Sequence, residues 1–196
     1  MAVTAVVFDV GETLVDETHA WEVAADTAGV PRFTLMGVLG GLAARGERHS
    51  RVWEIVDAPP TVVGFAPGDF YADALPCLER LRGAGYFVGA VGNTGRATED
   101  VLRPYVDFVG SSARWGIEKP SREFFSRLVS ECGRPPEEIA YVGDRVDNDV
   151  EPARAAGLVA VHVRRGPWGY LQRPSAADIR VDSLAELPDR LAVYVS

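Results

Sequence analysis

The chain has 196 residues, of which 47% are apolar and 24% are charged, and its formal net charge is −8. This composition is typical of a globular protein with one main core, and the negative charge without a basic cluster argues against general nucleic-acid binding, which needs Lys and Arg to neutralise phosphates. No stretch approaches the roughly twenty apolar residues of a membrane span, and the chain begins with an apolar strand rather than a charged leader, so we expect a cytoplasmic protein.

Short apolar runs alternate with amphipathic helical patterns along most of the chain. The runs predict buried strands over residues 4–9, 87–91, 108–110, 139–142, 158–163 and, more weakly, 179–181. The amphipathic patterns predict helices over residues 71–84, 121–132 and 150–156. This alternation predicts an α/β fold with a doubly wound parallel sheet, and ligands of such folds bind beyond the carboxyl ends of the strands.

The segment from residue 17 to residue 69 has a helical pattern instead, with predicted helices over 21–29 and 33–45. We interpret it as a small helical cap inserted into a core made of residues 1–16 and 70–196. The glycine-rich run from Gly37 to Gly41 counts against the second helix, because each interior glycine costs up to about 1 kcal/mol relative to alanine.

Two residue types are rare in this chain. The two cysteines, Cys77 and Cys132, lie far apart and show no metal-ligand spacing, so we expect free buried thiols. Among the twenty lysine and arginine residues, only Lys119 is a lysine. Because the chain uses arginine for almost every other positive charge, this single lysine indicates a position where an ammonium group is needed.

Polar residues close three of the predicted strands. Asp9, Asn93 and Asp144 each follow an apolar run, and Asp149 comes five residues after Asp144. Taken singly, each aspartate is also compatible with a turn or a helix cap. Together, carboxylates that converge on one sheet edge repel one another unless a cation joins them, and oxygen ligands of this kind favour Mg²⁺.

Three motifs appear in order along the chain: FDVGETL at 8–14, Lys119-Pro120, and GDRVDND at 143–149. They resemble the first, third and fourth motifs of the haloacid dehalogenase (HAD) superfamily. The run DALP at 73–76 and residues 177–184 are similar to the family's lead-in to its second strand and to its last strand and helix. The resemblance covers nearly the whole chain, and it implies a Rossmann-like core and a hydrolase.

The resemblance also implies roles for individual residues. Asp9 would be the nucleophile that forms an aspartyl-phosphate. Mg²⁺ would be held by Asp9, the backbone carbonyl of Gly11 and Asp144, while Asp149 would hold a metal-bound water. Lys119 would lie between Asp9 and a phosphate oxygen, where the flat fork of arginine would be too large.

Two glycines depart from the family's pattern. Gly11 stands where phosphatases of the family usually have a second aspartate, which protonates the leaving group. Glu12 is a candidate replacement, although a surface or capping carboxylate is the alternative. Gly92 stands where the family usually has Ser or Thr. We expect Asn93 and Thr94 to bind the substrate, and the alternative for Thr94 is the N-cap of the next helix.

The cap carries candidates for substrate recognition. His19 and Trp21 lie at its entry, and a later run of basic and aromatic residues either faces the active site or forms a solvated helix face; this run contains Arg45, Arg48, His49, Arg51 and Trp53. Residues 164–169 are predicted to form a loop beside the sheet, with Trp168 used for packing.

The sequence thus favours a Mg²⁺-dependent phosphatase that acts on a small phosphorylated metabolite, with no nucleic-acid or membrane partner, as a monomer or homodimer. Two alternatives remain. Gly11 and Gly92 favour a binding or regulatory protein of HAD fold with impaired catalysis. A 2-haloacid dehalogenase-type hydrolase also lacks the second aspartate, but it needs no magnesium, and the pair of Asp144 and Asp149 argues against it.

Overall fold

The computed structural model describes residues 2–174 and 177–194, and a parallel sheet forms its centre. The six strands are β1 Ala5–Phe8, β2 Phe87–Gly92, β3 Phe108–Ser111, β4 Ile139–Gly143, β5 Val159–Val163 and β6 Ile179–Val181. Their order is β3-β2-β1-β4-β5-β6, and every neighbouring pair is parallel. The predicted fold class is confirmed, and each predicted strand agrees with the structure to within one residue at either end.

Ten α-helices in the described residues connect or flank these strands. They are α1 Thr18–Ala28, α2 Arg32–Ala44, α3 Val52–Ile55, α4 Ala74–Gly83, α5 Arg96–Leu102, α6 Ser112–Trp115, α7 Arg122–Cys132, α8 Glu151–Ala155, α9 Gly166–Leu171 and α10 Leu187–Ala192. A π-helix, Val146–Val150, leads directly into α8.

The sheet is buried on both faces. Successive side chains of a strand point to opposite sides, so Val6 and Phe8 of β1 belong to one hydrophobic cluster and Ala5 and Val7 belong to the other. All four side chains are fully buried. Burial on both faces explains why the strands are continuous apolar runs rather than alternating ones.

Some predicted boundaries differ from the structure. The helix predicted from residue 71 begins at Ala74. The predicted loop at 164–169 is wrong, because Gly166–Leu171 forms helix α9. Its proline lies in the first turn, where the missing N–H costs nothing, and Trp168 is buried, as the packing interpretation required.

The segment between β1 and α4 contains α1, α2 and α3, which we call the cap helices. The helix predicted at 33–45 is confirmed in spite of its glycines. Leu35, Leu39 and Leu42 are buried, and their spacing places them on one face of α2. They join a hydrophobic cluster separate from those of the sheet, which includes Trp53 and, from α9, Trp168. Packing of this face therefore outweighs the low helix propensity of glycine.

Cys77 and Cys132 are both free and buried, as predicted. Burial raises the pKa of each thiol to about 12. Within residues 2–174 and 177–194, no helix combines the length and the apolar character that crossing a bilayer requires.

Candidate active site

The candidate nucleophile, Asp9, directly follows β1, which lies between β2 and β4 in the centre of the sheet. Its backbone N–H donates to the carbonyl of Val142, at an N–O distance of 2.8 Å. The chain then turns sharply, because the carbonyl of Val10 accepts hydrogen bonds from Leu14 and Val15, both at 2.9 Å. Asp9 is thereby fixed where the strand order reverses, the usual ligand site of such sheets.

Lys119 lies between two carboxylates in the interior of the site. Its Nζ is 2.6 Å from Oδ1 of Asp9 and 2.6 Å from Oδ1 of Asp149. The side chain is 1% exposed, so solvent does not screen these contacts. Burial alone would lower the pKa of Lys119, but the charges of Asp149 and Asp9 raise it well above its ordinary value. The lysine therefore stays protonated.

Three buried carboxylates meet beside this lysine. One carboxylate oxygen from each of Asp9, Asp144 and Asp149 lies within 4.8 Å of the other two. Burial, followed by the charges of Asp149 and Asp9, raises the pKa of Asp144 well above its ordinary value. Burial also raises the pKa of Asp149 to about 6, although Lys119 opposes this shift. One ammonium does not balance three carboxylates, so this all-oxygen donor set fits a hard divalent cation.

Neighbouring groups contact the backbone of Asp144 and the carboxylate of Asp149. The ring Nε2 of His162 lies 3.0 Å from the backbone oxygen of Asp144. The backbone N–H of Arg145 donates to Oδ2 of Asp149, at 3.0 Å. Glycine at position 143 lets the side chain of Asp149 lie against the end of β4, because an added Cβ on Gly143 would lie 2.5 Å from Cβ of Asp149. The sequence pattern did not reveal the contribution of His162.

Gly92 has a steric role next to the nucleophile. An added Cβ at this position would lie 2.7 Å from Oδ1 of Asp9 and 3.3 Å from Cγ2 of Val10. The first of these distances is shorter than real Cβ contacts. Glycine at position 92, in place of the Ser or Thr that is usual in the family, therefore leaves room for the carboxylate of Asp9.

Asn93 forms a two-point contact with the loop that carries Lys119. Its Nδ2 donates to the backbone carbonyl of Lys119 at 3.0 Å, and its Oδ1 accepts from the backbone N–H of Lys119 at 2.8 Å. The structure thus gives the amide a positioning role that the sequence analysis missed. Its expected contact with substrate stays a prediction.

Thr94 does not cap the next helix. Gly95 is the N-cap residue of α5, and no side chain caps that helix. The hydroxyl of Thr94 is buried and has no hydrogen-bond partner among the residues that the structure describes. The N-cap interpretation is wrong, and a buried hydroxyl without a partner is free to bind a ligand.

Glu12 is held by groups outside the nucleophile cluster. Its Oε2 accepts from the hydroxyl of Tyr71 at 2.6 Å, and its Oε1 accepts from the backbone N–H of Glu17 at 3.0 Å. Burial raises its pKa, while the hydrogen bond from Tyr71 opposes the shift. Both oxygens are thus engaged in bracing the loop, which agrees with the capping alternative rather than with a replacement for the missing aspartate.

A buried arginine anchors the other side of the same loop. Nη1 of Arg165 donates to the carbonyl of Thr13 at 2.8 Å, and Nη2 donates to Oδ2 of Asp73 at 2.6 Å. The guanidinium also lies over the ring of Tyr71, 4.1 Å from its centroid. This connection between α4, α9 and the loop was not predicted from the sequence.

Glu17 is a further carboxylate that sequence reasoning missed. An added Cβ on Gly11 would lie 2.3 Å from Oε1 of Glu17. Nε1 of Trp21 lies 3.3 Å from Oε2 of Glu17. Burial of the carboxyl group raises its pKa to about 7, and the charges of Glu12 and Asp9 add to this shift. Gly11 lies six residues before Glu17, and nothing in the sequence indicates that the glutamate side chain folds back against this glycine.

The other cap candidates fall into two groups. Arg45 and Arg51 are exposed and form ion pairs with Glu47, as expected of a solvated face. The predicted aromatic candidates instead pack together: the ring centroids of Trp21 and Trp53 lie 6.2 Å apart, and those of Trp21 and His49 lie 6.0 Å apart.

Two other basic residues of the predicted set lie at the surface. Arg48 is exposed. His19 is also exposed, and it lines a cavity at the entry to the cap helices with Asp16 and Asp69. Within the described residues, neither side chain forms a hydrogen bond or an ion pair with the carboxylate cluster.

A family model for haloacid dehalogenase-like hydrolases matches residues 3–157. The chain belongs to this family. The three motifs, strands β1 to β4 and the carboxylate cluster all lie within the matched range. The resemblance inferred from the motifs is therefore confirmed.

Curated relatives of this HAD-like chain include named phosphatases. A glyceraldehyde 3-phosphate phosphatase of Methanocaldococcus jannaschii is 33% identical over 125 residues, which cover 61% of this chain and 55% of that protein. A phosphoserine phosphatase of Thermus thermophilus is 40% identical over 87 residues, which cover 44% of this chain and 34% of that protein. The chain thus matches about half the length, or less, of these relatives.

Solved structures of the same fold include both phosphatases and dehalogenases. A HAD phosphatase from Thermococcus onnurineus is 23% identical, with a TM-score of 0.67 over 96% of this chain and 98% of that one. An L-2-haloacid dehalogenase from Xanthobacter autotrophicus, with chloropropionic acid covalently bound, is 16% identical, with a TM-score of 0.74 over 98% of this chain and 100% of that one. At these identities the likeness shows the fold alone.

Proposed function

We propose that this HAD-like hydrolase is a Mg²⁺-dependent phosphatase of small phosphorylated metabolites, with Asp9 as its nucleophile. The observation that carries the proposal is the buried contact of 2.6 Å between Nζ of Lys119 and Oδ1 of Asp9, inside a cluster of three carboxylates. A carboxylate that is to attack a phosphate dianion needs positive charge close by.

The reaction is divided between the residues of the cluster. Asp9 attacks the phosphorus, the bond from phosphorus to the leaving oxygen breaks, and an aspartyl-phosphate results. The ammonium of Lys119 neutralises charge on Asp9 and on a phosphate oxygen. Water then attacks the aspartyl-phosphate, which releases phosphate and restores Asp9. The hydroxyl of Thr94, which has no hydrogen-bond partner in the described part of the chain, supplies a hydrogen bond to the phosphate.

The same cluster suits magnesium. Asp9, the backbone carbonyl of Gly11 and Asp144 would hold the ion, and Asp149 would orient one of its waters. When bound, Mg²⁺ supplies positive charge that reduces the repulsion between phosphate and carboxylate. The raised pKa of Asp144, caused by burial and by its carboxylate neighbours, supports this assignment.

The names of the relatives support a class of substrate. Glyceraldehyde 3-phosphate and phosphoserine, named in two of them, are both small three-carbon phosphate monoesters. We infer that this chain acts on a compound of similar size and charge.

The two alternatives make different predictions at the same site. A 2-haloacid dehalogenase would release halide and need no metal, whereas the pair of Asp144 and Asp149 beside Asp9 favours a metal-dependent reaction. A binding protein would hold phosphate without turnover. The ion pair of Lys119 and Asp9 supports turnover over binding alone, because it places a positive charge beside the proposed nucleophile.

The test is a screen of small phosphate monoesters for phosphate release, with Mg²⁺ and with a chelator, on the wild type and on Asp9→Asn. We expect release that needs both Mg²⁺ and Asp9. Chloride release from 2-chloropropionate without Mg²⁺ would instead support the dehalogenase. Binding of beryllofluoride or vanadate without release from any monoester would support the binding protein.

A further inference from the structure

The space beside Gly11 is filled by a carboxyl group from another part of the chain. An added Cβ at Gly11 would lie 2.3 Å from Oε1 and 2.8 Å from Cδ of Glu17. Gly11 is two residues after Asp9, in the loop that follows the proposed nucleophile. A carboxyl group therefore lies where a side chain at position 11 would begin, although position 11 itself provides none.

Local contacts hold Glu17 in this position. Its Oε2 accepts a hydrogen bond from Nε1 of Trp21, at 3.3 Å. Its own backbone N–H donates to Oε1 of Glu12, at 3.0 Å. The indole of Trp21 in turn stacks on Trp53, with centroids 6.2 Å apart, and Trp53 is buried. One oxygen of the carboxyl group is thus anchored by the cap helices, and the other faces Gly11.

The other carboxylates around the site are committed to different partners. Asp149 bonds to Lys119, and Asp144 belongs to the cluster proposed to hold magnesium. Both oxygens of Glu12 accept hydrogen bonds. Among the carboxylates near Asp9 in the described chain, Glu17 has an oxygen directed at the nucleophile loop and no cation bonded to it.

Hydrolysis of an alkyl phosphate needs such a group. The leaving oxygen departs as a strongly basic alkoxide unless a positioned acid protonates it, and acid-base help of this kind is typically worth about 10² to 10⁴ in rate. A carboxyl group that lies beside the loop of the nucleophile, and that is not one of the three clustered carboxylates, is placed for this task.

We propose that Glu17 is the catalytic carboxyl group that serves the leaving group in this chain, in place of a side chain at Gly11. This proposal rests on the proposed phosphatase function. As Asp9 attacks the phosphorus and the bond to the leaving oxygen breaks, the proton of Glu17 passes to that oxygen, and the alcohol departs. The Glu17 carboxylate then accepts a proton from the water that attacks the aspartyl-phosphate, so that phosphate is released and both groups return to their starting states.

The first test compares leaving groups. Glu17→Gln keeps the size of the side chain and an oxygen for Trp21, but it cannot transfer the proton. We expect this variant to lose about 10² to 10⁴ in kcat on an alkyl phosphate such as glycerol phosphate, and much less on p-nitrophenyl phosphate, whose leaving group needs little protonation. The matched control is Glu22→Gln, on helix α1, whose carboxylate pairs with Arg32 near the surface; it should behave like the wild type on both.

The second test moves the carboxyl group. Gly11→Asp alone should lower activity, because its Cβ collides with Glu17. Combining Gly11→Asp with Glu17→Ala removes the collision and returns a carboxyl group to the same place, so the double variant should exceed Glu17→Ala in kcat on the alkyl phosphate. Melting curves of all variants report whether they fold.

The outcomes separate this inference from the proposed function. If the wild type releases phosphate and Asp9→Asn does not, the proposed function stands. The Glu17 proposal is then overturned if Glu17→Gln loses kcat equally on both substrates, or loses none. It is also overturned if the double variant folds but has no higher kcat on the alkyl phosphate than Glu17→Ala. If the wild type releases phosphate from neither substrate, both proposals fail together.

Discussion

Nζ of Lys119 lies 2.6 Å from Oδ1 of Asp9, and the two residues are brought together from positions 110 residues apart in the sequence. The lysine reaches Asp9 from the loop before α7, whereas the aspartate directly follows strand β1. This contact joins the proposed nucleophile to a cation that is almost fully buried. It also explains why a chain rich in arginine keeps one lysine, because a compact ammonium fits between two carboxylates and a guanidinium does not.

Lys119→Arg is predicted to lower turnover by about 10²-fold or more, since the larger head group must displace Asp9 or Asp149. The substitution does not change the net charge, so the loss of turnover would come from the shape of the head group. Affinity for vanadate or beryllofluoride should fall in parallel, and the melting curve should show a folded protein. Arg122→Lys, at the exposed start of α7, is the control and should match the wild type. Full activity of Lys119→Arg would remove Lys119 from the site.

Asp144→Asn is predicted to abolish stabilisation by Mg²⁺. A ligand at about 100 times its Kd stabilises a folded protein by about 2.7 kcal/mol, and the variant should lose this effect. Without metal, the variant should be as stable as the wild type or more so, because one of the repelling carboxylates is gone. Asp147→Asn is the control, since its side chain is 42% exposed and pairs with Arg145. Thermal shifts with and without Mg²⁺ make the comparison, and an equal Mg²⁺ shift in Asp144→Asn would refute the metal site.

Gly92→Ala is predicted to reduce turnover by about 10²-fold, because the new methyl group would push against the carboxylate of Asp9 and misplace the nucleophile. Gly95→Ala is the matched control, since an added Cβ there meets no atom within 4 Å. Steady-state kinetics of the two variants side by side test this account. If Gly92→Ala is as active as Gly95→Ala, the steric role of Gly92 is wrong.

Asn93→Ala is predicted to lower kcat by releasing the backbone of Lys119, to which the amide makes two hydrogen bonds. Each such bond contributes about 1 kcal/mol, so the melting temperature should fall by several degrees. If Asn93 instead bound the substrate, its replacement by alanine would raise KM more than it lowered kcat. A large rise in KM with unchanged kcat and stability would therefore favour substrate binding over positioning.

Much of the site could be predicted because parallel strands end at a common edge. Asp9, Asn93 and Asp144 each end an apolar run, and the sheet order brings these ends together. The predicted strands and the motifs were therefore enough to predict that these residues lie at the same edge of the sheet. The predicted boundary of the helical cap at residues 17 and 69 stays a prediction.

The contacts that the sequence did not reveal depend on three-dimensional packing between distant or irregular segments. Asn93 bonds to a backbone 26 residues away, and a backbone partner leaves no mark on residue type. Glu17 reaches Gly11 only because the loop between them turns back on itself. Helix α9 was missed because its glycines and proline favour a loop locally, while the burial of Trp168 against the cap helices stabilises the helix.

The most direct test of the central claim is to trap the covalent intermediate. The wild type is quenched in acid during turnover of a small phosphate monoester with Mg²⁺, digested and mapped by mass spectrometry, with Asp9→Asn treated in the same way. We predict a phosphoryl group on Asp9 of the wild type, lost when Mg²⁺ is chelated before substrate is added, and no label or turnover in Asp9→Asn. Turnover by Asp9→Asn, or a phosphoryl group on a different residue of the wild type, would contradict the assignment of Asp9 as the nucleophile.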